Sequence, residues 1–127
     1  MIAGQFSDNG ELVFEIELIA ANGEGFTVEA VLDTGFTTGW LAINSQDIDV
    51  LDWSIITYEI EMQTARGHEF FDLYEGKVTI DSQEFTVPVH VGDELPDVLM
   101  GCQWLELFEL IVNKKKEILT LKIMASE

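Results

Sequence analysis

A mainly antiparallel all-β fold with two short helices is the architecture this sequence predicts. Two observations predict it. Apolar residues recur at every second position along almost the whole chain, as in Leu12, Phe14, Ile16, Leu18 and again in Phe26, Val28, Ala30, Leu32. The alternating runs are short and are punctuated by clusters of Gly, Asn, Asp and Ser, which argues for a compact sandwich or barrel.

Residues 1–6 read as a short strand, and Ser7-Asp8-Asn9-Gly10 as a turn. Residues 12–20 alternate and reach Ala21-Asn22-Gly23-Glu24-Gly25, a hairpin signal, because Asn-Gly favours the positive φ of tight β-turns. Strand 26–32 follows. Trp40-Leu41-Ala42-Ile43 is apolar and extended. Ser45 is the predicted N-cap of a short helix to about Leu51, with Ile48 and Leu51 on one face. Ile56, Tyr58, Ile60 and Met62 alternate along a strand that ends in the glycine-containing tip Thr64-Ala65-Arg66-Gly67-His68. Residues 70–80 return, so 55–80 reads as one long hairpin. The apolar phase slips at Glu75-Gly76-Lys77, which predicts a bulge or bend.

Asp81-Ser82-Gln83 turns the chain into Phe85, Val87, Val89 and Val91. Pro88 cannot donate to a ladder, so it belongs at an edge or faces away from a partner. Gly92 to Pro96 is a loop, and Val98-Leu99-Met100-Gly101 a short apolar run ending in glycine. Cys102 to Phe108 is the second predicted helix, with Trp104 and Phe108 one turn apart. Leu110–Val112 and Ile118–Ile123 are strands separated by the turn 113–116. Trp40, Trp53 and Trp104 are assigned to the core or to a dimer interface.

At 127 residues, 47% of them hydrophobic, the chain is expected to be one domain, 1–127, with a packed core. Six Lys and Arg against 24 Asp and Glu give a net charge of −18. Such a surface repels phosphate backbones and anionic lipids, which argues against nucleic-acid and membrane partners. The single Cys102 allows no intrachain disulfide. The first eight residues carry no basic segment with an apolar stretch behind it, and no apolar run approaches about 18 residues. The expected location is therefore cytoplasmic.

One stretch carries chemistry. Strand 26–32 delivers a carboxylate, Asp33, out of an apolar run into the tight polar turn Asp33-Thr34-Gly35. That is an awkward place for a charge unless the charge is needed. Taken with the tip at 64–68 and Leu99-Met100-Gly101-Cys102-Gln103-Trp104-Leu105, the chain resembles the retropepsin-like aspartic proteases from about residue 12 to residue 123. The phrase Asp33 to Leu41, with the tail from Phe108, looks most like the small stand-alone microbial branch. The resemblance implies an acid-protease barrel with one lobe per chain. It implies an aspartic endopeptidase that needs no cofactor and no metal.

Metal-free peptide hydrolysis needs an activated water and an acid, and two close carboxylates sharing one proton supply both. Only one Asp-Thr-Gly occurs here, so the resemblance implies a homodimer with one Asp33 from each subunit. In that reading Thr34 hydrogen-bonds across the two-fold axis, and Gly35 lets a backbone N–H approach the carboxylate. Ala65, Arg66, Gly67 and His68 become the tip of a flap that closes over an extended peptide by strand addition. Phe36, where viral members carry Ala or Ser, reshapes the cleft and is assigned to substrate binding. Met1–Phe6 and Ile118–Ile123 are the strands available to an intersubunit sheet. The rival reading keeps fold and dimer but makes the protein a non-cleaving peptide-binding or regulatory module.

Other constellations are weaker. Cys102 with His68 or His90 lacks any local support as a thiol–imidazole pair, and His90 on its alternating strand reads as a surface residue. Two His and one Cys make no zinc pattern, and the acidic residues lack calcium-loop spacing. Lys114–Lys116 reads as a solvated turn.

Overall fold

The computed structural model describes residues 1–64 and 67–124. Its alternating runs become eleven strands among those residues, in two sheets. The larger sheet is built from β2 (Gln5–Phe6), β3 (Leu12–Ile19), β4 (Gly25–Leu32), β5 (Leu41–Asn44), β6 (Ser54–Thr64), β7 (Gly67–Ile80), β8 (Gln83–Gly92) and β9 (Val98–Met100). The smaller one contains β1 (Ile2–Ala3), β10 (Phe108–Asn113) and β11 (Ile118–Ile123). Strand order is β2-β3-β4-β9-β5-β8-β7-β6 in the large sheet, with a further β3–β7 pairing, and β1-β11-β10 in the small one. The expected first strand is thus two strands, one in each sheet.

Most hairpins follow their turn chemistry. Gly23 has φ 90°, and Asn22 Oδ1 accepts the Glu24 N–H at 2.9 Å. Asp81 and Ser82 both take positive φ between the paired Ile80 and Gln83, the geometry of a two-residue primed turn. The connection from β4 to β5 is not a hairpin. β9 lies between β4 and β5, parallel to β4 and antiparallel to β5. The loop 33–40 must therefore carry the chain past β9.

The main core gathers Phe14, Ile16, Ala30, Leu41, Val89, Trp104 and their neighbours. Trp104 is fully buried, meets Trp40 edge-on at 4.8 Å, and donates its indole N–H to the Trp40 carbonyl at 2.6 Å. A second, smaller cluster of Ala42, Phe71 and Leu95 sits apart from it.

Several local expectations are corrected. Residues 45–51 split into a 3-10 turn, Ser45–Asp47, and a single α-turn, α1 (Ile48–Leu51). Ser45 does not cap it. It is the first residue inside the 3-10 turn, with Asn44 in the cap position, and its hydroxyl donates to the Asp93 carboxylate. Cys102–Glu106 is a 3-10 helix, and Phe108 belongs to β10 because it pairs with Ile123.

No bulge occurs at 75–77, where β7 and β8 pair one to one from Asp72↔Val91 to Ile80↔Gln83. The phase slips because the covered face changes. Phe71 packs in the small cluster, whereas Val78 and Ile80 face the main core. The irregularities fall in β6 instead, between Ile55 and Ile60, where Glu59 has φ 52°. They leave Ile56 and Tyr58 exposed, against the simple alternation. Pro88 pairs with Glu75 and lies one residue before the β5–β8 pairing begins at Leu41↔Val89.

Candidate active site

Asp33 stands at the end of β4, a strand flanked by β3 on one side and β9 on the other. Its backbone N–H donates to Met100 O at 2.9 Å, which extends the β4–β9 pairing by one step. Its half-buried carboxylate accepts the Gly35 N–H at Oδ1, also at 2.9 Å. A Cβ on Gly35 would lie 3.2 Å from that same oxygen, tighter than a comfortable contact. The residue type at 35 thus follows from the approach of a backbone donor to a carboxylate. Thr34 is exposed, and its carbonyl accepts the Cys102 thiol at 3.5 Å.

The loop after Asp33 is laced to the chain leaving β9. Gly101 N–H donates to Trp40 O at 2.9 Å, Cys102 N–H to Phe36 O at 2.9 Å, and Gln103 N–H to Gly39 O at 3.2 Å. These bonds fix the carboxylate's strand end to the main core through Trp104.

A cavity of about 340 Å³ opens beside Asp33. Gly35 and Phe36 line it, as do Ala42, Phe71, Leu95 and Leu99. Met62, Gln63 and Glu69 line it too, so the β6–β7 hairpin reaches the same space. Of the expected hairpin-tip residues, Ala65 and Arg66 lie outside the described residues. Gly67 has φ 104° and is exposed. His68 is exposed as well, with Nδ1 2.9 Å from a Glu61 carboxylate oxygen. Neither Gly67 nor His68 is among the cavity-lining residues, and neither is Thr34.

Phe36 is folded into this arrangement. A Cβ at Gly39 would meet its ring at 1.9 Å, so the ring lies directly against Gly39. It packs on the small cluster and meets His90 edge-on at 5.2 Å. The bulky residue after Asp-Thr-Gly thereby becomes a wall of the cavity.

His90, expected at the surface, is only 9% exposed. It stands between Phe36 and Phe71, with ring centroids 5.2 and 5.9 Å away, and its Nδ1 has no hydrogen-bond partner. The second face of β8 is covered because the small cluster lies over it, a contact no local pattern encodes. Asn44 was also not singled out. Its side chain accepts the Leu95 N–H at 2.7 Å and donates to the Leu95 carbonyl, holding the loop before β9 against β5.

Burial lowers the His90 pKa from its ordinary value, and a backbone interaction with Leu41 opposes this only in part. The unfolded chain then takes up a proton at a higher pH than the folded chain does. Stability from this group is complete above the unfolded value, about 6.5, and declines as pH falls below it. The expected result is a urea midpoint that falls between about pH 7.5 and pH 5.5 more steeply in the natural protein than in His90→Leu. Parallel pH profiles for the two would overturn this role.

No group of three or more His, Cys, Asp or Glu that could hold a metal ion occurs among the described residues. No described helix is long and apolar enough to cross a membrane.

No protein-family model matches the sequence, and no curated protein matches it. Solved structures that share its architecture include two aspartic proteases. One is a retropepsin-like aspartic protease from Rickettsia conorii, 20% identical, with a TM-score of 0.62 over 94% of this chain and 88% of that one. The other is EIAV protease in complex with an inhibitor, 14% identical, with a TM-score of 0.57 over 74% of this chain and 84% of that one. At these identities the likeness is one of fold.

Proposed function

We propose that this chain, which has the retropepsin-like fold, is an aspartic endopeptidase completed by a second copy of itself. The observation that carries the reading is the setting of Asp33. Its carboxylate leaves the end of a core strand, is held by the Gly35 N–H, and faces a cavity that the β6–β7 hairpin also lines. The chain supplies one Asp-Thr-Gly and the reaction needs two close carboxylates, so the partner is a second copy with its own Asp33.

In the paired site one Asp33 is ionised and the other protonated, because two charges so close are not both accommodated. The ionised carboxylate takes a proton from a water held between the two, and the water oxygen bonds to the peptide carbonyl carbon. The protonated carboxyl passes its proton to the carbonyl oxygen. As the tetrahedral intermediate collapses, the C–N bond breaks, the leaving nitrogen takes the proton that the first carboxylate received from water, and a hydroxyl of the intermediate returns its proton to the second carboxylate. Thr34, with its side chain exposed, is available to fix the geometry across the axis. The β6–β7 hairpin holds the substrate backbone as an added strand, with Ala65, Arg66, Gly67 and His68 as its tip. Phe36 contributes to the substrate-binding wall.

Support for a second copy also comes from the small sheet. β1 and β11 pair within one chain, Ile2↔Leu121, rather than being left open. Ile111, Val112 and Ile118 are nonetheless more than 40% exposed on β10 and β11. Unpaired strand edges and exposed apolar residues favour association. The chain is read as a single domain, 1–127, acting in the cytoplasm. Sedimentation is expected to show a dimer of the 14.3 kDa chain, and an unbiased peptide library to be cleaved by it. A species that stays at 14.3 kDa at high concentration would sink the shared site. Tight peptide binding with no turnover would replace the enzyme with a binding module.

A further inference from the structure

The cavity beside Asp33 has two kinds of wall. One is apolar, formed by Phe36, Ala42, Phe71, Leu95 and Leu99. The other is anionic. Glu69 of the β6–β7 hairpin contributes to it, and Glu11 and Asp97 line the cavity and are exposed, with no Lys or Arg among its described lining residues. Neither Glu11 nor Asp97 has a cationic partner among the described residues. They come from distant parts of the chain, Glu11 just before β3 and Asp97 just before β9.

Both are on segments tied to the frame. Glu11 N–H donates to Ser7 Oγ at 3.0 Å, and the Ser7 hydroxyl donates back to the Glu11 carboxylate at 3.3 Å. The loop carrying Asp97 is held at Leu95 by both groups of the Asn44 amide, and at Asp93 by Ser45. These two negative groups are therefore placed before any ligand arrives, which lowers the ordering entropy lost on binding.

Resting on the endopeptidase reading, we infer that the cleft selects extended peptides with an apolar side chain for the cavity and a Lys or Arg close by. Glu11 and Asp97 are its specificity-determining residues. A volume of about 340 Å³ is in the range of a ligand pocket and takes a large aliphatic or aromatic side chain. A lysine or arginine beside it lays its methylene stem along the apolar wall and carries its charge to the rim. An acidic side chain in that position meets like charge from the rim and from a chain of net charge −18. In a two-fold dimer the same pair recurs on the other side of the scissile bond, so the preference is expected on both sides.

The test uses three labelled peptides with one apolar centre and flanks of lysine, norleucine or glutamate. Binding is measured on the Asp33→Asn protein, so that no cleavage intervenes, and kcat/KM on the natural protein. The lysine peptide is expected to bind about 3- to 10-fold tighter than the norleucine peptide at low salt, and the glutamate peptide to bind weakest. Adding Glu11→Gln and Asp97→Asn removes the lysine preference, and Asp97→Lys shifts it toward glutamate. Glu15→Gln with Glu29→Gln, an exposed pair opposite each other on β3 and β4, leaves it intact. Equal binding of the lysine and norleucine peptides overturns the inference. So does a preference that the Glu15/Glu29 control weakens as much as the rim variant does. Cleavage that ignores the flanks keeps the endopeptidase and overturns this specificity. Rim-dependent lysine binding with no cleavage of any peptide keeps the specificity and overturns the endopeptidase.

Discussion

Asp33→Asn is expected to lower kcat by about 10²–10⁴-fold or more while leaving the fold and the affinity for peptide nearly unchanged. The amide keeps the size and one acceptor oxygen of the carboxyl, so the Gly35 N–H at 2.9 Å retains a partner. What is lost is the ability to take a proton from water. The shared site makes a sharper prediction than simple inactivation. When natural and Asp33→Asn chains are mixed in equal amounts and allowed to exchange, roughly one quarter of the dimers have two natural subunits. Activity should therefore fall to about one quarter rather than one half, provided that one carboxylate alone is inert. A linear fall with the fraction of natural chain would show that each chain works alone. Equal cleavage by natural and Asp33→Asn protein would remove Asp33 from the chemistry altogether.

Why this much was legible in the sequence, and no more, follows from the range of the interactions. The alternation in 12–20 and 26–32, the Asn22-Gly23 turn and the Asp33-Thr34-Gly35 turn are all set by neighbours a few residues apart. Gly35 was read as making room for a backbone donor, and its N–H is on the Asp33 carboxylate. The insertion of β9 between β4 and β5 is a pairing of residues about 60 apart, with no local signal. The second core followed from it unseen. Ala42, Phe71 and Leu95 come from three separate elements, and only their meeting buries His90 and explains the phase change along β7. Ser45 has the residue type of a cap, but it lies inside the 3-10 turn with Asn44 in the cap position, and its hydroxyl donates to Asp93, 48 residues away. The cleft's rim had the same problem. Glu11 and Asp97 are two acidic residues among 24, and only the fold puts them at one cavity.

The crossing beneath Asp33 gives the second large effect. Gly101 has φ −88° and ψ 172°, a conformation that any residue adopts. By backbone conformation alone, Gly101→Ala would stabilise the protein by about 0.4–1 kcal/mol through the unfolded state. Space decides otherwise. A Cβ there would lie 1.9 Å from the Gly39 carbonyl oxygen, a backbone atom that cannot swing aside as a side chain can. Gly39 O also accepts the Gln103 N–H, and Gly101 N–H is bound to Trp40 O, so relief breaks the lacing that holds the Asp33 loop. Gly101→Ala is expected to destabilise the protein by about 3 kcal/mol or more, at or beyond the upper end of overpacking effects, and to reduce activity in whatever remains folded. Gly39→Ala makes the informative contrast. Its Cβ would strike the Phe36 ring, again at 1.9 Å, and a ring can move or be removed. The Gly39→Ala loss should shrink when Phe36→Ala is added, a coupling that a double-mutant cycle reads directly. Gly101→Ala should show no such rescue by Phe36→Ala, because the atom in its way is the main chain. A Gly101→Ala protein that melts with the natural one, or that Phe36→Ala restores, would mean that the two loops do not cross as closely as their hydrogen bonds imply.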